Sequence, residues 1–226
     1  EHTITSPETN TELPDIHPEF AAMFDANGTL GDIHTFGIGG SDDDDQWSGR
    51  LSFVKVDGQA VFEGDILLGS LNPAYAGMGI TPSKYLWPDG IVPYTINDRL
   101  PKQDRISDAI AHWEEYTSLR FVERTNANKR QHPNYIEFRP STGCSSYVGM
   151  QGGMQPINLA AGCTLGNTIH EIGHAVGLWH EQSRNDRDEH VDIRYENIIS
   201  VYAFNFDKRP NDGMDMGSYD YGSIMH

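Results

Sequence analysis

The chain has 226 residues, with 33 acidic against 16 basic side chains, a net charge of -17 and 37% hydrophobic residues. That length suits one medium domain plus an extension, and a mean hydropathy of -0.54 with no long apolar run argues against a membrane span. The acidic excess argues against nucleic acid and anionic membrane surfaces as partners.

The charge is uneven. Residues 1–70 hold 14 acidic and 2 basic side chains, a net of -12, and residues 71–226 hold the remaining -5. Two parts with different jobs are expected. Glu1–Pro7 has neither a basic start nor an apolar core, so the chain as written opens without a signal peptide. Residues 1–50 are rich in Thr, Pro, Asp, Asn and Gly, with a short helix expected over His17–Phe24. Gly37–Asp45 reads as a flexible acidic loop. Its four consecutive aspartates invite calcium but lack the spaced ligands of a calcium loop. Residues 51–62 alternate weakly and predict a hairpin about Asp57-Gly58. Phe62-Glu63-Gly64-Asp65-Ile66 reads as a turn, and residues 67–84 as an exposed connector.

A turn at Tyr85–Gly90 precedes a strand over Ile91–Ile96. Residues 102–119 predict an amphipathic helix, with Ile106, Ala109, Ile110, Trp113, Tyr116 and Leu119 on one stripe. His112, beside Trp113, reads as structural. Strands are expected at Phe121-Val122 and Tyr135–Phe138, and a strand pair at Cys144–Met150 and Ile157–Leu159. Residues 191–207 suggest a short helix after a turn. The cysteines Cys144 and Cys163 are compatible with a disulfide or with two buried thiols.

The densest chemistry lies at 168–181, Thr-Ile-His-Glu-Ile-Gly-His-Ala-Val-Gly-Leu-Trp-His-Glu, on a helix expected to start at Thr164 or just after it. His170 and His174 are four apart, hence one helical turn apart on one face, where two imidazoles can share a metal ion. Glu171 is placed to reach a metal-bound water without being a ligand. Gly177 can take a left-handed conformation, end the helix and let the chain bring back His180 as a third nitrogen ligand. Three neutral histidines, an open fourth position and a carboxylate make the set used for zinc-activated hydrolysis. The bland reading, a helix of solvated histidines ending at a glycine, leaves His180 unexplained.

After His180 the chain runs Glu181-Gln182-Ser183-Arg184-Asn185-Asp186-Arg187-Asp188, and it closes Ser223-Ile224-Met225-His226. With the long histidine motif, this resembles the astacin family of zinc metalloendopeptidases from about Tyr85 onward, with a separate match at Phe62–Ile66. The resemblance implies the α+β metzincin fold, a twisted sheet with an antiparallel edge, a backing helix and a zinc-binding helix. It implies one catalytic Zn²⁺ on His170, His174 and His180, with Glu171 as the base and Met225 as an apolar floor. Phe62-Glu63-Gly64-Asp65 is similar to the F-x-G-D motif of astacin prosegments, which would make Asp65 the zinc ligand of a latent form. By the same comparison Cys144, Ser145, Ser146, Tyr147 and Val148 form the edge that holds the substrate backbone. Cys144 and Cys163 then pair, and Glu181 binds the mature N-terminal amine through water.

The organisation implied is an acidic prosegment over 1–77 and a catalytic domain over 78–226, divided into 78–180 and 181–226. Cleavage by an activating protease would fall near Met78. The chain stops before the tyrosine that follows Met-His in astacins, so a C-terminal subdomain truncated at the methionine turn is expected. The functional expectation is a secreted, monomeric endopeptidase acting on protein or peptide substrates, with its own prosegment as intramolecular inhibitor. The alternative is a non-catalytic zinc-containing module that binds extracellular protein.

Overall fold

The computed structural model describes residues 32–38, 49–56, 59–62, 64–70, 85–208 and 214–226. The helix expected at His17–Phe24 and the run of four aspartates lie outside these residues.

One sheet organises the described chain. Its strands are β1 (Asp32–Ile38), β2 (Gly49–Val56), β3 (Gln59–Phe62), β4 (Ile66–Ser70), β5 (Ile91–Ile96), β6 (Arg120–Glu123), β7 (Tyr135–Pro140), β8 (Ser145–Ser146) and β9 (Met154–Leu159). They lie in the order β1-β2-β3-β4-β8-β9-β7-β5-β6. The first four form an antiparallel meander. The ladders β5–β6, β5–β7 and β7–β9 are parallel, and β8 runs antiparallel to β9. Between meander and central sheet, β4 lies parallel to β8, with Ile66 opposite Ser146.

The hairpin expected at 51–62 is β2–β3, with Val56 opposite Gln59. Two expectations upstream need correction. Gly37 and Ile38, read as part of a loop, belong to β1, opposite Arg50 and Gly49. Residues 67–70, read as connector, belong to β4, where Leu67 lies opposite Val61 and Ser70 opposite Gln59 of β3, with a shift in register between the two pairs.

Helix α1 (Asp104–Tyr116) crosses between the parallel strands β5 and β6, and α2 (Leu165–Val176) follows β9. Both cover the central sheet. Its core joins Val92, Ile136, Phe138, Ile157 and Leu159 to Ile106, Ala109 and Ile110 of α1 and to Ile169, Ile172 and Ala175 of α2. Burial alternates along β7, with Ile136 and Phe138 inward, as a period of two requires. α1 ends three residues before the expected limit, because Thr117 turns to extended backbone and its N–H donates to the Trp113 carbonyl. Tyr116, placed on the apolar stripe by spacing, is 70% exposed. His112 packs beside its ring, with centroids 4.9 Å apart.

Two indole N–H groups bind α2 to its neighbours. Trp113 Nε1 donates to the Ile169 carbonyl at 3.0 Å and Trp87 Nε1 to the Ala175 carbonyl at 2.8 Å. Past α2 the chain forms short 3-10 turns at Glu181–Ser183, Arg187–Glu189, Tyr195–Asn197 and Ser200–Phe206. The last two stand where one short helix was expected.

Candidate metal centre

α2 is fixed at both ends by its own sequence. Thr164 is the N-cap. Its Oγ1 accepts from the Asn167 N–H at 3.3 Å, while Asn167 Oδ1 accepts from the Thr164 N–H at 2.9 Å. This is a capping box with asparagine in the place of the usual glutamate. At the other end Gly177 has φ 117, a left-handed conformation that a β-carbon would penalise. The Gly177 N–H donates back to the Gly173 and His174 carbonyls, and the Leu178 N–H to the Gly173 carbonyl, so the last turn is closed.

That turn orients a side chain as well. His174 Nδ1 lies 2.8 Å from the Leu178 carbonyl, and His170 Nδ1 lies 2.7 Å from the Ile224 carbonyl. With both Nδ1–H groups donating to backbone, both Nε2 lone pairs face inward. They are 3.0 Å apart, and His180 Nε2 is 3.3 Å from that of His170. The Asp65 carboxylate is the fourth member, 3.2 Å from His170, 3.3 Å from His180 and 3.6 Å from His174. All four residues are buried, and their ligand atoms lie within 4.8 Å of one another.

Bare imidazole lone pairs aimed at one another repel, and a cation between them reverses the sign. Donors of this type, pre-oriented by carbonyls on their far nitrogens, fit Zn²⁺. Burial pushes the His174 ring down to about 4, so it is neutral and able to ligate at physiological pH. Glu171, between the two helical ligands, is fully buried.

The segment that carries Met225 forms the support of this centre. Met225 is buried against α2 at Gly173, where an added β-carbon would stand 2.6 Å from the Met225 sulfur. The Met225 carbonyl accepts from the Glu181 N–H at 2.7 Å. Glu181 Oε1 in turn accepts from the Asp220 N–H at 2.9 Å and lies 3.6 Å from Arg184. Arg184 forms a bidentate pair with Asp186, both contacts at 2.8 Å, and donates to the Met216 and Gly217 carbonyls. The charged run after His180 therefore ties the histidine segment to the Met225 segment. A cavity of about 250 Å³ opens beside it, lined by Leu178, Trp179, Glu181, Arg184 and Met216 among others. The importance of Gly173 was not read from the sequence, since a glycine inside a helix has no local signature that names its distant neighbour.

On the other side of the centre lies the edge segment Cys144–Val148, in which Ser145, Ser146 and Val148 are buried. The Ser146 N–H donates to the Asp65 carbonyl at 2.9 Å, so Asp65 is held through backbone and side chain alike. Cys144 and Cys163 form a disulfide with Cα atoms 6.2 Å apart, which joins the edge to the residue before the Thr164 cap.

The model of the astacin peptidase family matches residues 79–226. Bone morphogenetic protein 1 of Xenopus laevis is 42% identical over 149 residues, covering 62% of this chain and 20% of that protein. Zinc metalloproteinase nas-15 of Caenorhabditis elegans is 35% identical over 218 residues. That match covers 87% of this chain, and so reaches upstream of residue 79, but 37% of the relative. The chain thus spans between about a fifth and two fifths of the length of these relatives. Among solved structures, high choriolytic enzyme 1 of the medaka fish Oryzias latipes, a hatching enzyme zinc-protease, aligns with a TM-score of 0.58 and 35% identity. The alignment covers 66% of this chain and 76% of that one. The match to the family model and the geometry of the three histidines agree: the chain belongs to the astacin family of zinc peptidases.

Proposed function

We propose that residues 78–226 belong to the catalytic domain of a secreted zinc endopeptidase, and that residues 1–77 hold it latent with Asp65 on the metal. The observation that carries this reading is the Asp65 carboxylate, buried and within 3.2–3.6 Å of all three histidine Nε2 atoms. A zinc ion held there supplies an activated water and polarises the scissile carbonyl. Glu171 takes the proton of the attacking water and passes it to the leaving amine. The edge Cys144–Val148 receives the substrate backbone by main-chain pairing. In the latent form β4 occupies that edge and Asp65 takes the position of the water.

Activation then requires a cut after β4, within residues 71–84, by another protease. The cavity beside Glu181 supports the role of that carboxylate as partner of the new amine. The disulfide suits an oxidising compartment outside the cytosol. Among the described residues no helix is long and apolar enough to cross a membrane. The working unit is a monomer whose substrates are proteins or peptides.

The test is zinc stoichiometry and zinc-edge spectroscopy on the chain beside Asp65→Ala. One zinc with three nitrogens and a carboxylate oxygen, replaced by a water-like ligand in the variant, is expected. An unchanged spectrum in the variant removes Asp65 from the metal, and a chain that takes up no zinc removes the whole reading.

A further inference from the structure

β8 is two residues long for a reason written in the sequence. Its ladder pairs Ser145 with Asn158 and Ser146 with Ile157, so the next pair would set Tyr147 against Pro156. Proline has no N–H to give. The ladder stops, yet the edge runs on through Gln151, and its buried backbone groups need partners.

Side-chain amides supply them. Gln155, on β9 and 1% exposed, donates from Nε2 to the Gly149 carbonyl at 3.0 Å, and its Oε1 accepts from the Gln151 N–H at 2.9 Å. Gln151 Nε2 donates to the Val148 carbonyl at 2.8 Å. Held in this way, Gly149 turns through φ 73, and its N–H donates to the carbonyl of His174 at 2.8 Å. The same residue that Gln155 grips is therefore bonded to the backbone of a zinc ligand. A ladder fixes spacing through many weak bonds, whereas here the amides of Gln155 and Gln151 stand in for further rungs.

We infer that Gln155 is a positioning residue, whose amide sets the substrate-receiving edge at a fixed distance from the zinc helix. It touches neither metal nor substrate. The inference deepens the proposed function and rests on it for the word substrate, but the mechanical link is independent of catalysis.

The experiment measures two things on Gln155→Met and on Gln155→Glu, which keeps the volume and the acceptor but replaces the donor. In the zinc-loaded full chain, amide exchange of Gly149 and Gln151 is followed with the β5–β7 amides as internal reference. After removal of the residues upstream of Met78, kcat and KM are measured on a peptide substrate. Exchange at Gly149 is expected to accelerate at least about tenfold in both variants, with the reference amides and one zinc per chain unchanged. KM is expected to rise about tenfold, the scale of one lost buried hydrogen bond, with kcat nearly constant. Unchanged protection at Gly149, acceleration shared by the reference amides, or a loss confined to kcat or zinc content each overturn the inference. If the activated parent hydrolyses nothing, the proposed function fails, while the exchange comparison still decides whether Gln155 holds the edge.

Discussion

Replacing Gly173 by alanine tests the packing of the floor on the zinc helix. The new β-carbon would meet the Met225 sulfur at 2.6 Å and the Met225 methyl and Trp113 Cζ2 at 3.4 Å. Comfortable carbon contacts lie near 3.5–4.0 Å, so the sulfur must retreat by about 1 Å. Met225 is 3% exposed and its backbone is held, since its carbonyl accepts from Glu181 and the preceding carbonyl orients His170. Overpacking of this kind costs about 1–3 kcal/mol, and the better helix propensity of alanine returns about 1 kcal/mol. A net loss on the order of 1 kcal/mol is expected. Because the displaced residue is joined to Ile224, the hydrogen bond that aims His170 shifts too, and zinc affinity should fall about tenfold or more. Gly166→Ala is the control, as its β-carbon meets only Thr164 Oγ1, at 3.6 Å. Denaturant melts give stability, and competition with a chelator gives zinc affinity. If Gly173→Ala matches the parent in both while Gly166→Ala behaves no differently, Met225 is not wedged against the helix and the reasoning fails.

Other outcomes follow from the same structure. Glu171→Gln should keep one zinc and lose about 10²–10⁴-fold in hydrolysis by the activated enzyme; near-parental turnover would remove Glu171 from proton transfer. Cys144→Ser paired with Cys163→Ser should lower stability by about 3 kcal/mol in chemical denaturation, given a sequence separation of 19. An unchanged midpoint would mean that the Thr164 cap needs no covalent anchor. The Asp186 carboxyl is held below its ordinary 3.8, chiefly by the hydrogen bond from Arg184. Its folded value is the lower one, so its stabilisation is present above the unfolded value and is lost as pH falls through the folded one. Asp186→Asn should accordingly be less stable at neutral pH and show a shallower acid limb below about pH 4. An identical acid limb would show that the pair carries no linkage.

The zinc helix was legible because its signals are local. Thr164 caps it, Gly177 ends it, and the spacing of His170, His174 and His180 is a property of one turn and one bend. β5, β7 and the hairpin β2–β3 were legible for the same reason. Of the strands missed, β1 is held by its ladder to β2, and the end of β4 by a bulged pairing with β3 whose irregular register carries no period-two signal. Tyr116 was misassigned because a helical stripe says which residues share a face but not where the face runs out of partners. Gly173 carries the same lesson inside the site: what occupies the space above it is Met225, far along the chain, and spacing within the motif says nothing of it.

The two helical ligands are aimed over very different spans of chain: His174 by the carbonyl of Leu178, 4 residues on, and His170 by the carbonyl of Ile224, 54 residues on. Half of the aim of the centre is therefore a property of one helix end, and half is a property of the tertiary fold. A change that loosens the Met225 segment reaches the metal through His170 alone and leaves His174 as it was.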